Sequence, residues 1–446
     1  MGMRGSGVTG RRTGRDARRR RPPAPAPFDV PCGPDLVGVR YTGPHLTTTL
    51  AVRPGPVRPR RLDGSWFDAA APGLPLAGLL DWLARPDAAA TSLTLLTRGS
   101  CCLGDGPASS SYRTLLGPLP LAARRDVRLQ IRTDPFAHPE LTARYGTGPS
   151  AALRACLSAT RRAGALLREA GLGAVPLTAA ELTAADDWAL DGGARPAGGS
   201  PEPPHAYRIA APDAAALAAT LESVWTRTGG TALTALDLRP ARSAPRVRAL
   251  LRLDDALRTP APVTWQPFPN APDVPLPDGT AQDLRGAVCP VDGDGIVLGA
   301  DAHGRPVGLR PTGPDIARTR ITGRLSLVQQ TVVRLVATGV SAAVFTDRPE
   351  RWAGLLDAVA DRTLLHAASA GGADVLVDDR PGARLGPLDG HTVLCVNDDA
   401  RTADPGGGPS LCQDPDDPAF AEVCGGDRRI RVRLVATPAE NALLGA

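Results

Sequence analysis

Two pairs of adjacent aspartates, Asp378-Asp379 and Asp398-Asp399, follow aliphatic runs at Ala373–Val377 and Thr392–Val396. Carboxylates at the C-terminal ends of strands are where α/β sheets gather ligands, and a pair there can hold a metal. The same region offers a strand at Arg320–Thr322, then Gly323, then an apolar helix over Leu325–Thr338. That succession is the local geometry for a phosphate at a helix N-terminus. The residues stop the reading short. A phosphate loop needs GxxxxGK[ST], because the lysine and the hydroxyl hold the phosphates and magnesium. Here the turn is Thr322-Gly323-Arg324-Leu325-Ser326, with one glycine and no lysine, and it carries no GxGxxG. The aspartates therefore read first as solvated loop charges. The alternative is a soluble α/β enzyme that binds a nucleotide or sugar-nucleotide with these acidic pairs.

Other chemistry fails on spacing. Asp292-Gly293-Asp294-Gly295 begins like a calcium loop, but Ile296 stands at position five and no glutamate at twelve, so it reads as a turn. There is no GxSxG elbow, HExxH or kinase signature. Six dispersed histidines share no motif with a nucleophile. Eight cysteines form no CxxC and no zinc spacing, which fits a reducing, cytosolic setting. The vicinal Cys101-Cys102 reads as part of an inert loop, with a redox pair as the alternative. Cys156 and Cys395 read as small buried hydrophobes. No catalytic, cofactor-binding or metal-binding residue is assigned, and no cofactor is expected.

What remains is an interaction surface. A helix is predicted over Ser150–Ala170, with Leu153, Cys156, Leu157, Thr160, Gly164 and Leu167 on one face at spacings of three and four. Ser150 is its expected N-cap and Gly171 its C-terminal glycine. Arg154, Arg161 and Arg168 fall seven apart and line up beside the apolar face. They read as a solvated flank or as a docking edge for an acidic partner or an anionic membrane.

Before this helix, Tyr112, Leu115 and Leu116 sit on a helical turn stopped by Gly117-Pro118-Leu119-Pro120. Val127, Leu129 and Ile131 then alternate with Arg128, Gln130 and Arg132, a strand with one buried face. After the helix come a short strand over Ala174–Leu177 and a capping box, Thr178 with Glu181, that opens another helix. Leu36–Tyr41 and His45–Val52 read as a hairpin, Leu74–Ala84 as a helix, and Thr91–Leu96 as a strand.

These pieces are similar to a known family. VGVRY (Val37–Tyr41), YRTLLGPLP (Tyr112–Pro120), the arginine-rich strand ending Arg132-Thr133-Asp134-Pro135, ALRACLSATRRAGALLREAG (Ala152–Gly171) and LTAAEL (Leu177–Leu182) resemble EccE. EccE is a membrane-complex component of the actinobacterial type VII (ESX) secretion system. The resemblance covers about residues 35–190. It implies a non-enzymatic structural subunit, peripheral in a translocon, with its soluble domains on the cytoplasmic side. It implies as partners the other membrane-complex subunits, among them the ring-forming ATPase.

Composition fits that reading and narrows it. All 51 basic side chains are arginine, which reads as the codon bias of a GC-rich genome, and the net charge of +5 is concentrated in the first 21 residues. The rest is near balance, so nucleic acid is not an expected partner. EccE-like proteins usually carry two hydrophobic helices before the soluble part. No window of about 18 apolar residues is present here. Attachment through partners is expected, or else a start lying further upstream. The basic leader allows weak contact with an anionic membrane surface.

Residues 1–34 read as a disordered basic, proline-rich leader and 35–190 as the EccE-like α+β module. Residues 191–204 read as a linker and 205–256 as a βαββ module that echoes the preceding one and packs with it. Residues 257–283 read as a proline-rich connector, and 284–446 as a C-terminal domain in which strands alternate with helices. The expected fold class is α/β and α+β: N-terminal mixed sheet-and-helix modules followed by a C-terminal α/β sheet, largely parallel in its middle.

Overall fold

The computed structural model describes residues 25–62, 73–119, 121–190, 205–209, 214–228, 230–240, 246–253, 265–268, 280–281, 289–367, 373–380, 385–386, 388, 391–397 and 408–445. The linker 191–204 and Asp398-Asp399 lie outside them. In chain order the first half contains β1 (Phe28–Cys32), β2 (Asp35–Thr42), β3 (His45–Arg53), β4 (Arg60–Arg61), β5 (Gly73–Leu74), α1 (Leu76–Leu83), β6 (Ala90–Ser100), α2 (Pro107–Leu116), β7 (Arg124–Thr133), α3 (Pro139–Ala143), α4 (Gly148–Glu169), β8 (Gly173–Pro176) and α5 (Ala179–Leu190). It continues with β9 (His205–Ile209), α6 (Ala214–Ser223), β10 (Ala232–Arg239), β11 (Arg246–Leu253), β12 (Trp265–Phe268), β13 (Thr280–Ala281) and β14 (Cys289–Pro290).

One sheet collects most of these strands, in the order β1-β2-β3-β7-β6-β10-β11-β9-β12, with β8 beside β3 and β13 beside β11. The alternation along β7 is realised: Val127, Leu129 and Ile131 are buried while Arg128, Gln130 and Arg132 are half-buried on the other face. The sheet repeats a unit. In the first, β3 and β6 run parallel with β7 inserted antiparallel between them and α1 in the connection. In the second, β9 and β10 flank β11 in the same way, with α6 in the connection. The units meet at β6–β10, antiparallel, with Leu95 opposite Leu236. The two units are thus related by an approximate twofold within one sheet.

Three readings are corrected here. Residues 28–32, assigned to a disordered leader, form edge strand β1 against β2, with Phe28 opposite Val39. Strands β12 and β13 lie within the stretch read as a connector. Helix α4 begins at Gly148 with Thr147 rather than Ser150 as its N-cap. Pro149 in the first turn explains the shift, since its missing N–H costs nothing there.

The second half contains β15 (Ile296–Ala300), β16 (Pro306–Leu309), β17 (Arg318–Thr322), α7 (Leu325–Ala337), β18 (Ala342–Thr346), α8 (Glu350–Val359), β19 (Leu365–Ala367), β20 (Val375–Asp379), β21 (Thr392–Asn397), β22 (Ser410–Gln413), β23 (Phe420–Gly425), β24 (Arg428–Leu434) and α9 (Pro438–Leu444). Its sheet runs β19-β18-β20-β21-β17-β22-β23-β24-β15-β16-β4. The first six strands are parallel and the rest antiparallel, so the parallel part occupies one side of the sheet rather than its middle. The overall class, mixed α/β with separate sheets, is the expected one.

The two sheets share one hydrophobic core. Strand β4, from the first half, closes the second sheet, and β5 pairs with β14. The backbone N–H of Val297 donates to the Tyr112 hydroxyl at 2.9 Å, a buried bond that ties α2 to β15. Burial pushes the Tyr112 hydroxyl far above the ordinary phenol range, so it stays protonated.

Packing also corrects the face of α4. Cys156, Thr160, Gly164 and Leu167 are buried as expected, but Leu153 and Leu157 are only half-buried. Ala151, Ala155, Ala159 and Ala163 complete the inward face. A Cβ at Gly164 would meet Leu50 Cδ1 and Ala174 Cβ at 3.8 Å, an ordinary contact. Leu167→Ala is therefore expected to cost about 2–5 kcal/mol in a denaturant melt. Leu157→Ala should cost no more than about 1 kcal/mol. Equal losses would mean that the inward face is drawn wrongly.

Candidate functional site

The strand ends of the parallel sheet are the place where a ligand would be sought. Strand β17 sits at a topological switch: the chain leaves it for β18 on one side and ends the parallel set at β22 on the other. Ligands of open α/β sheets bind in the crevice at such a point. The sequence brings Gly323, the N-terminus of α7, Asp378-Asp379 and the end of β22 to the same edge of the sheet.

The chain itself fills that edge. The side-chain oxygen of Gln413, at the end of β22, accepts the Arg324 backbone N–H at 2.8 Å, at the first turn of α7 where a phosphate would be held. The Gln413 amide in turn donates to the Pro418 carbonyl at 2.7 Å. Gly323, at φ +144°, admits this arrangement, because a Cβ there would lie 2.6 Å from the Gln413 Cβ. Its own N–H donates to the Asn397 carbonyl at 3.1 Å.

The acidic pair is likewise occupied. The Asp379 side chain is fully buried and accepts from Trp352 Nε1 at 2.8 Å, Thr346 Oγ1 at 2.9 Å and Arg348 Nη2 at 2.6 Å. Asp378 accepts from Arg380 Nε at 2.9 Å and from the Leu385 N–H at 2.6 Å. The reading of this pair as solvated loop charges is therefore corrected: both are buried, and their lone pairs face donors of the protein. Among the described residues no group of three or more His, Cys, Asp or Glu is placed to hold a metal ion. Titration with ATP, GTP or a UDP-sugar in magnesium is accordingly expected to give no thermal shift. Micromolar binding by any of them, lost in Asp398→Ala, would establish the enzyme reading instead.

Asp292-Gly293-Asp294-Gly295 is a turn, as read, but a buried one with a structural task. Asp292 pairs with Arg60 at 3.1 Å and with Arg310 at 2.5 Å. Asp294 Oδ2 accepts the Ala122 N–H at 2.9 Å, while the N–H groups of Asp294 and Gly295 donate to Ala122 and Ala123. Burial pushes the Asp294 carboxyl above the usual range, opposed by Arg125 and Arg60. The turn joins the start of β7 to the second sheet. Cys101 and Cys102 are buried, and the Cys102 thiol donates to the Ser109 carbonyl at 3.3 Å. Burial raises the Cys156 thiol to about 11, which keeps it inert.

The arginine flank lies on a different element. Arg154, Arg161 and Arg168 are all exposed on α4. Arg154 Nη1 donates to the Tyr145 carbonyl and Arg168 Nε to the Gly164 carbonyl, each at 3.1 Å. The neighbouring Arg162 pairs with Asp87 at 2.9 Å. Helix α4 is held to the sheet by a buried hydroxyl pair, Thr160 and Thr48, at 2.6 Å. The capping box that follows is formed: the Thr178 N–H donates to Glu181 at 2.7 Å, and the Glu181 N–H to Thr178 Oγ1 at 3.3 Å. The three arginines are thus presented on a rigid support, on a different element from any of the strand-end groups.

Among the described residues no helix is long and apolar enough to cross a membrane. No curated protein matches the chain. Residues 121–210 match the family model described as "Putative type VII ESX secretion system translocon, EccE". The matched span opens just before β7 and takes in α4 with its arginines, β8, α5 and β9. From β7 to β9, then, this chain is similar to the EccE family of type VII ESX secretion translocon components.

Proposed function

We propose that the protein is a non-enzymatic structural subunit of a type VII ESX translocon, peripheral in its membrane complex. Its soluble domains lie on the cytoplasmic side and are held there by the other subunits, the ring-forming ATPase among them. The observation that carries this reading is the state of the strand-end edge. The groups that would do chemistry there, Asp378, Asp379 and the first turn of α7, are engaged by Arg380, Arg348, Trp352 and Gln413. The EccE-matching segment, by contrast, presents Arg154, Arg161 and Arg168 outward. That pairing of a filled cleft with an offered surface suits a scaffold better than a catalyst. The same reading divides the chain into a basic leader, an EccE-like part with the repeated unit beside it, and a C-terminal α/β part.

Fractionation tests the proposal. Expressed alone, the chain should bind anionic vesicles weakly through leader arginines, and high salt should release it, since salt screens such attraction over about 8–10 Å at physiological strength. Co-expressed with the other translocon subunits, it should remain in the membrane fraction through a high-salt wash. Salt-resistant pelleting of the lone protein would overturn attachment through partners, and its absence from the washed complex would overturn the translocon assignment.

A further inference from the structure

The repeated unit of the first sheet isolates α4. Each unit needs two parallel strands, the helix between them and the inserted strand, and α1 and α6 fill the same place in the two copies. Helix α4, of 22 residues, lies outside those elements, and its inward face is already satisfied by small residues and Leu167. Its outward stripe is therefore not dictated by the fold.

That stripe reads Arg154, Leu157, Ser158, Arg161, Ala165, Arg168. The arginines stand about 10.5 Å apart along the axis and together span about 21 Å, at 1.5 Å per residue. Ala165 between the last two is small, while between the first two the Tyr145 hydroxyl donates to Ser158 Oγ at 2.9 Å. Arg154 and Arg168 spend one donor each on backbone carbonyls, and none of the three has a carboxylate partner among the described residues. The one acid on the helix is Glu169, at its end.

We infer that this stripe docks an acidic helix of a partner protein, one whose carboxylates recur every seven residues along one side. The inference rests on the scaffold reading above and names the chemistry of the partner that the scaffold holds. A straight helix with that repeat places its carboxylates at the same interval as the three guanidiniums, so each finds a charge-assisted partner in one register. A lipid surface fits the stripe less well. Interfacial helices insert an aromatic or leucine-rich face, and between these arginines the stripe offers one large apolar side chain, the half-buried Leu157.

The test uses the full chain and two helical peptides of one composition. In the first, glutamate occupies every seventh position; in the second, the same glutamates are dispersed around the helix. The in-line peptide should bind about tenfold or more tighter than the dispersed one. Arg161→Glu should abolish that preference, and Arg161→Lys should restore part of it. Circular dichroism of each variant should match the parent, since the side chain is exposed. Equal binding of the two peptides, or binding of neither, overturns the inference. So does Arg161-dependent binding to phosphatidylglycerol vesicles without peptide preference, which would make the stripe a membrane contact. Failure here is separable from failure of the scaffold reading. A triple Arg154→Glu, Arg161→Glu, Arg168→Glu chain that stays in the salt-washed translocon complex overturns the docking stripe and leaves the translocon assignment standing.

Discussion

Glu440→Ala is expected to lower the unfolding free energy by about 3–5 kcal/mol, because it leaves a buried guanidinium without its counter-charge. Arg334 and Glu440 have side-chain exposures of 1% and 3%. Two parallel bonds join them, Nε to Oε1 at 2.7 Å and Nη2 to Oε2 at 2.8 Å. The remaining guanidinium donors reach the carbonyls of Val297, Leu298 and Val435. Gln330 adds a bond to Glu440 at 3.2 Å, and Thr437 caps the first turn of α9 by accepting the Glu440 N–H at 3.1 Å. The network fastens α9 to α7 and to β15, the strand that also meets Tyr112 of α2. Loss of Glu440 therefore loosens contact between the halves as well as the local helix. A second variant separates charge from packing. Replacing both partners with apolar residues, Arg334→Met with Glu440→Leu, should recover most of the stability, since the cost lies in an unpaired buried charge. Urea melts of the three proteins decide it. A loss under about 1 kcal/mol in Glu440→Ala, of the size of an ordinary substitution, would mean that the pair is solvated.

In the sequence Arg334 stands inside the otherwise apolar run Thr331–Phe345 with nothing to mark a partner. Its partner stands 106 residues away, and no local period links them. Elements whose signal is local were legible: the hairpin of β2 and β3, the alternation of β7, helix α7 and the capping box of α5. Those that depend on long-range pairing were not. Strands β22 and β23 escaped because Ser410–Gln413 and Phe420–Gly425 mix polar and apolar residues without a marked run. The large residues Leu153 and Leu157, expected inward, do not mark the inward side of α4. Alanine carries almost no directional signal by itself, yet four alanines face the sheet. The strand-end edge was half legible. The missing lysine argued against a phosphate loop, but that Gln413 would cap α7 depends on β22 lying beside β17, which no spacing in the sequence announces.

Asp379→Ala is the second large effect expected, again about 3–5 kcal/mol, because three donors lose their common acceptor in a buried site. Its value lies in what it separates. A carboxylate kept for catalysis or metal binding is held against the preferences of the fold, and its removal is often neutral or stabilising. One that satisfies Trp352, Thr346 and Arg348 is part of the packing, and its removal exposes their donors to an apolar surrounding. Asp379→Asn should lose less than Asp379→Ala, since the amide oxygen still accepts from Trp352 or Thr346 while the charge opposite Arg348 is gone. Arg348→Ala alone should also destabilise. In the double variant the two losses should add to less than their sum, because the Arg348–Asp379 contact at 2.6 Å is counted once. Thermal and urea melts of the four proteins give the cycle. Strict additivity would show that the two side chains do not interact. A stability gain in Asp379→Ala would return the carboxylate to the list of groups held for chemistry, and with it the enzyme reading of the C-terminal sheet.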